Sequence, residues 1–327
     1  MNDQYAGDSD TVRDLKAHIE SLGLDLYGFA SGERIRHFQP YYDERPRETV
    51  SPFESGDQES RCQLSGSFLS VAFPYAHELT WPRDAHFSVY VRGGDYHQVA
   101  AGYLESICSF LRERGYSAQA YVDSNELPER LIAALAGLGW LGRSGLLITR
   151  RYGTYVFLGE IRTDLSLPPS ETFVAPGDYS ACGDCTRCLK ACPVGILGPR
   201  YVETRRCLSS VTQQKTHSPE ELLLLDGRLF GCDTCQRVCP WNQEKAGLGL
   251  APFKPYDHMV RPDLEQLVHL SKAEFRSLYA PTSAGWRGKA VLEINALAAL
   301  HRLGRLPQEL DPASPLVRAV YDKLKEI

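Results

Sequence analysis

Eight of the ten cysteines in this 327-residue chain fall into spacings that do chemistry. Residues 182–193 read C-x2-C-x2-C-x3-C-P, with ligand candidates Cys182, Cys185, Cys188 and Cys192 ahead of Pro193. Residues 232–240 read C-x2-C-x3-C-P, with Cys232, Cys235 and Cys239 ahead of Pro240. A tight loop can bring three thiolates to three irons of one cube, while the fourth, on the helix that follows, points away and crosses to a second cube. The second run lacks its first cysteine, because Leu229 stands there, so the two runs supply seven thiolates where two cubes need eight. Cys207, between them in TRRCLSSVT, is the natural eighth. The expected sets are Cys182, Cys185, Cys188 and Cys239 on one [4Fe–4S] cluster, and Cys192, Cys207, Cys232 and Cys235 on the other. Paired C-x2-C units also make four-thiolate zinc sites. The third cysteine of the first run and the C-x3-C-P endings favour iron–sulfur. Cys62 and Cys108 stand outside the pattern, and Cys108, on the apolar face of a helical stretch, reads as core packing.

Three further motifs carry weaker signals. Gly137, Gly139 and Gly142 match a dinucleotide fingerprint formally, but that motif has meaning only after a strand and before a helix. Here it follows the helical PERLIAALA, so these glycines are expected to end a helix and turn the chain. Asp95-Tyr96-His97 resembles part of a histidine motif for cobalt ligation, but a helix begins at once and Asp95 reads better as its N-cap. Asp123 ends a short strand just before another helix. By position it is a cap; a carboxylic acid there could equally be a tuned proton donor.

The elements that must position these residues follow from periodicity. TVRDLKAHIESLGL, DYHQVAAGYLESICSFLRERG and LPERLIAALAGLG have helical spacing, while DLYGFA, GSFLSVAFPY and AQAYVDS read as strands. GLLITRRYGTYVFLGEIRTDL reads as two strands joined by a turn at Tyr152-Gly153. This alternation predicts an α+β or α/β layered domain over 1–168. A Pro-rich break then leads into the cysteine-rich segment, 169–250, and a helical segment, 251–327, in which KAVLEINALAALHRLG and SPLVRAVYDKLKEI could pair. Apolar residues make up 43% and charged residues 24%, with a net charge of −5, an ordinary globular balance. No apolar run approaches the length of about 18 residues that a membrane helix needs, and the N-terminus carries no secretory pattern. A cytoplasmic protein without membrane contact is expected, and ten cysteines in that compartment point to metal ligation or redox chemistry.

Together the cysteine runs and their flanks resemble the epoxyqueuosine reductases, cobalamin-dependent enzymes of the last step of queuosine synthesis in tRNA. YVDSNELPERLIAALAGLGWLGRSGLLIT, RYGTYVFLGEIRTDL, CGDCTRCLKACPVG, RRCLSSVTQ, GRLFGCDTCQRVCPWN, SAGWRGK, SPFESGDQESR and GGDYH carry the resemblance over nearly the whole chain. It implies a nitroreductase-like or cobalamin-processing-like α/β domain holding base-off cobalamin, a two-cluster ferredoxin-like module and a short HEAT-like helical segment. It makes Asp123 of the VDS motif the proton donor, a carboxylic acid that burial beside the corrin keeps protonated. Arg61, Ser144, Leu147, Leu158, Ser209 and Asp233 would contact cobalamin. The implied partners are tRNA carrying epoxyqueuosine and a small electron donor such as a flavodoxin or ferredoxin, with the enzyme acting as a monomer.

The chain departs from the family pattern at Ile294, where an arginine is usual. It also looks shorter after Arg61, and it carries only about one helix pair of the helical repeats that longer members use for tRNA. Arg205, Arg206, Arg287 and Lys289 are candidates for a local phosphate-binding patch. Two alternatives use the same cluster runs: a cobalamin-dependent reductase of a small molecule, as in reductive dehalogenases, and a non-catalytic electron carrier. A carrier has no need of the large domain in front of the clusters.

Overall fold

The computed structural model describes residues 2–43, 64–198, 204–312 and 314–327. Its centre is a four-stranded antiparallel sheet ordered β1 (Tyr27–Ser31), β2 (Ser67–Pro74), β7 (Val156–Thr163), β4 (Ala118–Tyr121). β2 is buried along its whole length, which explains why it reads as a continuous apolar run. Its side chains alternate. Leu69, Val71 and Phe73 face one core with α1 (Asn2–Ser21) and α3 (Tyr96–Arg112), while Phe68 and Ala72 face a second core with α2 (Gly32–Asp43) and α4 (Glu129–Leu135). Cys108 is fully buried in the first of these cores, as its helical face predicted.

The two strands expected on either side of a turn at Tyr152-Gly153 both form, but they do not pair with each other. β6 (Leu147–Ile148) pairs with β5 (Trp140–Leu141) in a two-stranded ribbon, and β7 joins the main sheet. Only an isolated bridge, Thr149 with Gly153, spans the turn. The eight-residue β7 gains more by pairing with β2 and β4 than by folding back on two residues. Gly137, with φ of +83°, ends α4, and Gly139 lies where a Cβ would come within 2.1 Å of Ile148 O. These glycines turn a helix and admit a close backbone approach, as their position after PERLIAALA implied.

A third core is helical. Short helices α5 (Arg187–Ala191), α6 (Leu208–Val211), α7 (Pro219–Leu224) and α8 (Thr234–Arg237) lie among the cysteines, and α9 (Asp257–Val260), α10 (Leu264–Val268) and α11 (Lys272–Glu274) follow. α12 (Lys289–Arg302), buried on nearly all sides, is the axis against which α10, α13 (Pro315–Glu326) and β8 (Arg228–Phe230) pack. Ile294 lies in this core with no exposure, which is why no arginine is accommodated there. The same core takes in Ala85, Phe87 and Val91, because β3 (His86–Phe87) pairs in parallel with β8. Residues from all three segments of the chain therefore share one apolar interior. Among the described residues no helix is long and apolar enough to cross a membrane.

Candidate active site

α3 begins at the residue that organises the site. Asp95 caps it, accepting the His97 backbone N–H at 3.2 Å. The same carboxylate oxygen meets His97 Nδ1 at 2.8 Å and accepts from Ser283 Oγ at 2.9 Å. The ring turns its other nitrogen, Nε2, to Asp123 Oδ2 at 2.9 Å. With both nitrogens engaged by carboxylates, His97 is pushed up to about 9, first by the hydrogen bond to Asp123 and then by that to Asp95. Tyr96 stacks on Phe157 at 4.2 Å and hydrogen-bonds Asp123 through its hydroxyl. The capping role of Asp95 stands, and the histidine set aside in the sequence is the immediate partner of Asp123.

The surroundings of Asp123 act on its ionisation in two opposing directions. Desolvation is the largest single influence and pushes its pKa upward. Yet 53% of the side chain remains open to solvent. Hydrogen bonds from His97 and Tyr96 together outweigh desolvation and hold the carboxyl below its ordinary value. The same His97–Asp123 hydrogen bond raises His97 and lowers Asp123.

One testable consequence is a pH-dependent stability. His97 has a folded-state pKa above its unfolded value of 6.5, so its contribution is complete below 6.5 and is lost as pH rises through about 9. With about a third of the ring open to solvent, that contribution is about 1 kcal/mol. The apparent unfolding midpoint of the native protein is expected to fall more steeply from pH 6.5 to 9 than that of His97→Gln. Equal slopes would show that the ring holds no extra proton.

Tyr90, which the sequence reading missed, is where several candidates meet. Its hydroxyl is hydrogen-bonded to Ser209, and the groups that raise its pKa beyond burial itself are Asp233, Asp123 and Cys207. It lies between the Asp123 constellation and the cysteines. No residue pattern around it marked it out, since a tyrosine in SVYVRGG reads as ordinary packing.

The cysteines gather across sequence. Cys188 and Cys239 each have Cys182 and Cys185 as charged neighbours, and Cys207 has Cys232 and Cys192. Cys235, strongly raised by burial, lies nearest Cys232 and Cys207. The packing of α5 on α8 brings the two runs together.

The other sequence candidates are placed unevenly. Ser144 and Leu147 are buried on the β5–β6 ribbon, and Leu158 is half-buried on β7. Asp233 is only 2% exposed, and its carboxylate accepts from Trp81 Nε1 at 2.7 Å, Ser88 Oγ at 2.5 Å and Val89 N at 2.9 Å. It anchors the segment around Tyr90 and has little capacity for another ligand. Arg61 lies outside the described residues. Arg205 and Arg206 are exposed, but Arg287 donates to Gln213 O at 2.7 Å and Lys289 is paired with Glu293. A depression beside α2, lined by Arg34, Arg36, His37 and Phe173, shares no residue with the Asp123 constellation.

A corrin carries amide side chains, and the ribbon offers matching donors. Trp140 Nε1 and Arg143 Nε, flanking Ser144, are buried with no hydrogen-bond partner. The donor set on this ribbon fits such a group.

Comparisons with known proteins agree with this arrangement. Residues 181–242 match the 4Fe-4S double cluster binding domain, and residues 59–124 match Epoxyqueuosine reductase QueG, DUF1730. The chain is 32% identical over 306 residues to the epoxyqueuosine reductase of Bacillus anthracis, covering 88% of this chain and 79% of that protein. It is 31% identical over 305 residues to that of Bacillus subtilis, covering 88% and 78%. A crystal structure of epoxyqueuosine reductase with an epoxyqueuosine-modified tRNA-Tyr stem loop superimposes with a TM-score of 0.84 at 28% identity, covering 97% of this chain and 90% of that one. With a double-cluster domain behind the Asp123 constellation, and relatives matched over most of their length, the chain belongs to the epoxyqueuosine reductase family of oxidoreductases.

Proposed function

We propose that this enzyme reduces epoxyqueuosine in tRNA to queuosine, the last step of that nucleoside's synthesis, using cobalamin and two [4Fe–4S] clusters. The observation that carries the reading is the hydrogen-bonded chain Asp95–His97–Asp123 opening to solvent beside Tyr90 and Cys207. Removing an epoxide oxygen as water takes two electrons and two protons. When bound, cobalamin supplies a strongly reducing, nucleophilic cobalt, and the clusters supply one-electron steps from a donor such as a flavodoxin or ferredoxin.

The chain's own residues supply the protons and the cradle. His97 holds a proton at Nε2, and Asp123 Oδ2, 2.9 Å away, is the open end from which it passes to the departing oxygen. Asp95 keeps the ring oriented and charged for this task. The solvent-facing half of Asp123 lets the pair take up the second proton. Ser144, Leu147 and Leu158, with Trp140 and Arg143, would line the corrin; Ser209 would approach it beside Tyr90, and Asp233 would contribute main chain. Arg61 is proposed for a polar corrin edge.

The four-cysteine sets proposed for the clusters are Cys182, Cys185, Cys188 and Cys239, and Cys192, Cys207, Cys232 and Cys235. The proposed organisation is a nitroreductase-like domain over 1–168, the ferredoxin-like module over 169–250 and the HEAT-like helices over 251–327, in a cytoplasmic monomer.

The test is anaerobic reconstitution with iron, sulfide and cobalamin, then incubation with epoxyqueuosine-containing tRNA and nucleoside analysis. Queuosine is the expected product. Its absence, with clusters intact and cobalamin bound, would refute the reading.

A further inference from the structure

Asp123 has φ of 54°, a left-handed conformation that costs a non-glycine residue on the order of 1 kcal/mol. Something must hold it there. The Asp123 main-chain N–H donates to Glu129 Oε1 at 2.7 Å, and Asn125 Nδ2 donates to the same oxygen at 2.8 Å. Asn125 Oδ1 in turn accepts from Leu127 N at 2.8 Å, and Asn125 N donates to Asp123 O at 2.6 Å. One carboxylate oxygen, on the first residue of α4, therefore ties down the whole turn that presents Asp123 to His97.

Beneath it is a second acid. Glu160 on β7 is fully buried; its Oε1 accepts from Ser70 Oγ at 3.1 Å, and its Oε2 has no partner. β7 and α4 pack together, and β7 pairs Glu160 with Tyr121, two residues before Asp123. A carboxyl with an unpartnered oxygen in an apolar interior keeps its proton.

We propose that Glu129 is the positioning residue for Asp123, and that its own ionisation sets how firmly it grips the turn. Ionised, Glu129 is a strong acceptor for both N–H groups and holds Asp123 against His97. Protonated, it grips weakly and the strained turn is released. Burial raises Glu129 out of the ordinary carboxylate range and the charge of Asp123 adds to this, while Asn125 and Arg130 oppose. Glu160 is raised by its own burial and by Glu129. The other charged or titratable groups facing Glu129 are few: Tyr96 from α3 feels its charge, and from α2 Arg34 reaches only the far end of α4, at Leu135 O.

This rests on the reduction proposed above, so the test reads the turn and the turnover separately on the cluster-loaded full chain. Amide exchange of residues 122–127 is measured alongside kcat, KM and pH profile for Glu129→Leu, Glu129→Gln and Glu160→Gln. Glu129→Leu is expected to lose amide protection and about 10–100-fold in kcat, with KM little changed. Glu129→Gln, a neutral acceptor like the protonated acid, should hold the turn weakly at every pH and lose the acid limb of the profile. Glu160→Gln, which exchanges one neutral group for another, is the control and should leave that limb in place. Unchanged protection in Glu129→Leu, or an acid limb retained in Glu129→Gln, would overturn the proposal. If Glu129→Leu does not fold, Glu129→Gln decides. Absence of queuosine from the unmutated enzyme would count against the reduction, and the exchange data would still decide the role of Glu129.

Discussion

Asp123→Asn is expected to keep its clusters and its fold while losing about 10²–10⁴-fold in epoxyqueuosine turnover, the range for a positioned proton donor. The substitution is clean for physical reasons. Asparagine tolerates the left-handed φ of 54° at this position. Its amide oxygen can still accept from His97 Nε2, and its main-chain N–H can still reach Glu129. What it cannot do is take up a proton and pass it on. His97 would also lose the carboxylate that contributes most to its raised pKa, so its titration should move toward 6.5. Turnover at the native rate with normal cluster content would remove Asp123 from the chemistry. A large loss accompanied by cluster loss would point to folding instead, which iron analysis separates.

Cys207→Ala is expected to halve the iron, from about eight to about four atoms per chain, and to abolish turnover by any donor that must feed electrons through both clusters. Its thiol has Cys232 and Cys192 as neighbours, whereas Cys182, Cys185, Cys188 and Cys239 group elsewhere, so the other cluster should survive with its spectroscopic signature intact. Cys108→Ala is the control: it sits in the core beneath α3, away from the runs, and should cost stability but no iron. Full iron content and native turnover in Cys207→Ala would refute the crossed assignment. Loss of all eight atoms would show that the two clusters form one cooperative unit.

The two results test different layers of what could be read from residues alone. Cys207 was legible because eight thiolates are a stoichiometric demand and only seven lie in runs. Asp95 was legible as a cap because capping is local, settled within three residues of chain. The strand character of GSFLSVAFPY and the burial of Cys108 follow likewise from short-range periodicity. The partner of β7 marks the limit of that logic. Whether β7 pairs with β6 or with β2 depends on which longer strand is available across the sheet, and no local pattern records it.

His97 shows the same limit at the site. Its helix start suggested capping and nothing more, because the carboxylate it meets is 26 residues away. The hydrogen bonds that lower Asp123 were unreadable for that reason: burial could be guessed, but the donors come from another element. Tyr90 and the Glu129–Glu160 pair were unreadable for a related reason, since each owes its position to packing between segments distant in sequence.

The cysteine spacing by itself marked out a double-cluster binding segment, because ligand number and reach are properties of short loops. The tertiary structure alone decided which way the pKa values of Asp123 and His97 move. That depends on the balance between desolvation and hydrogen bonds contributed by α3, the Asp123 turn and the Ser283 loop, a balance that exists only once those elements have packed together.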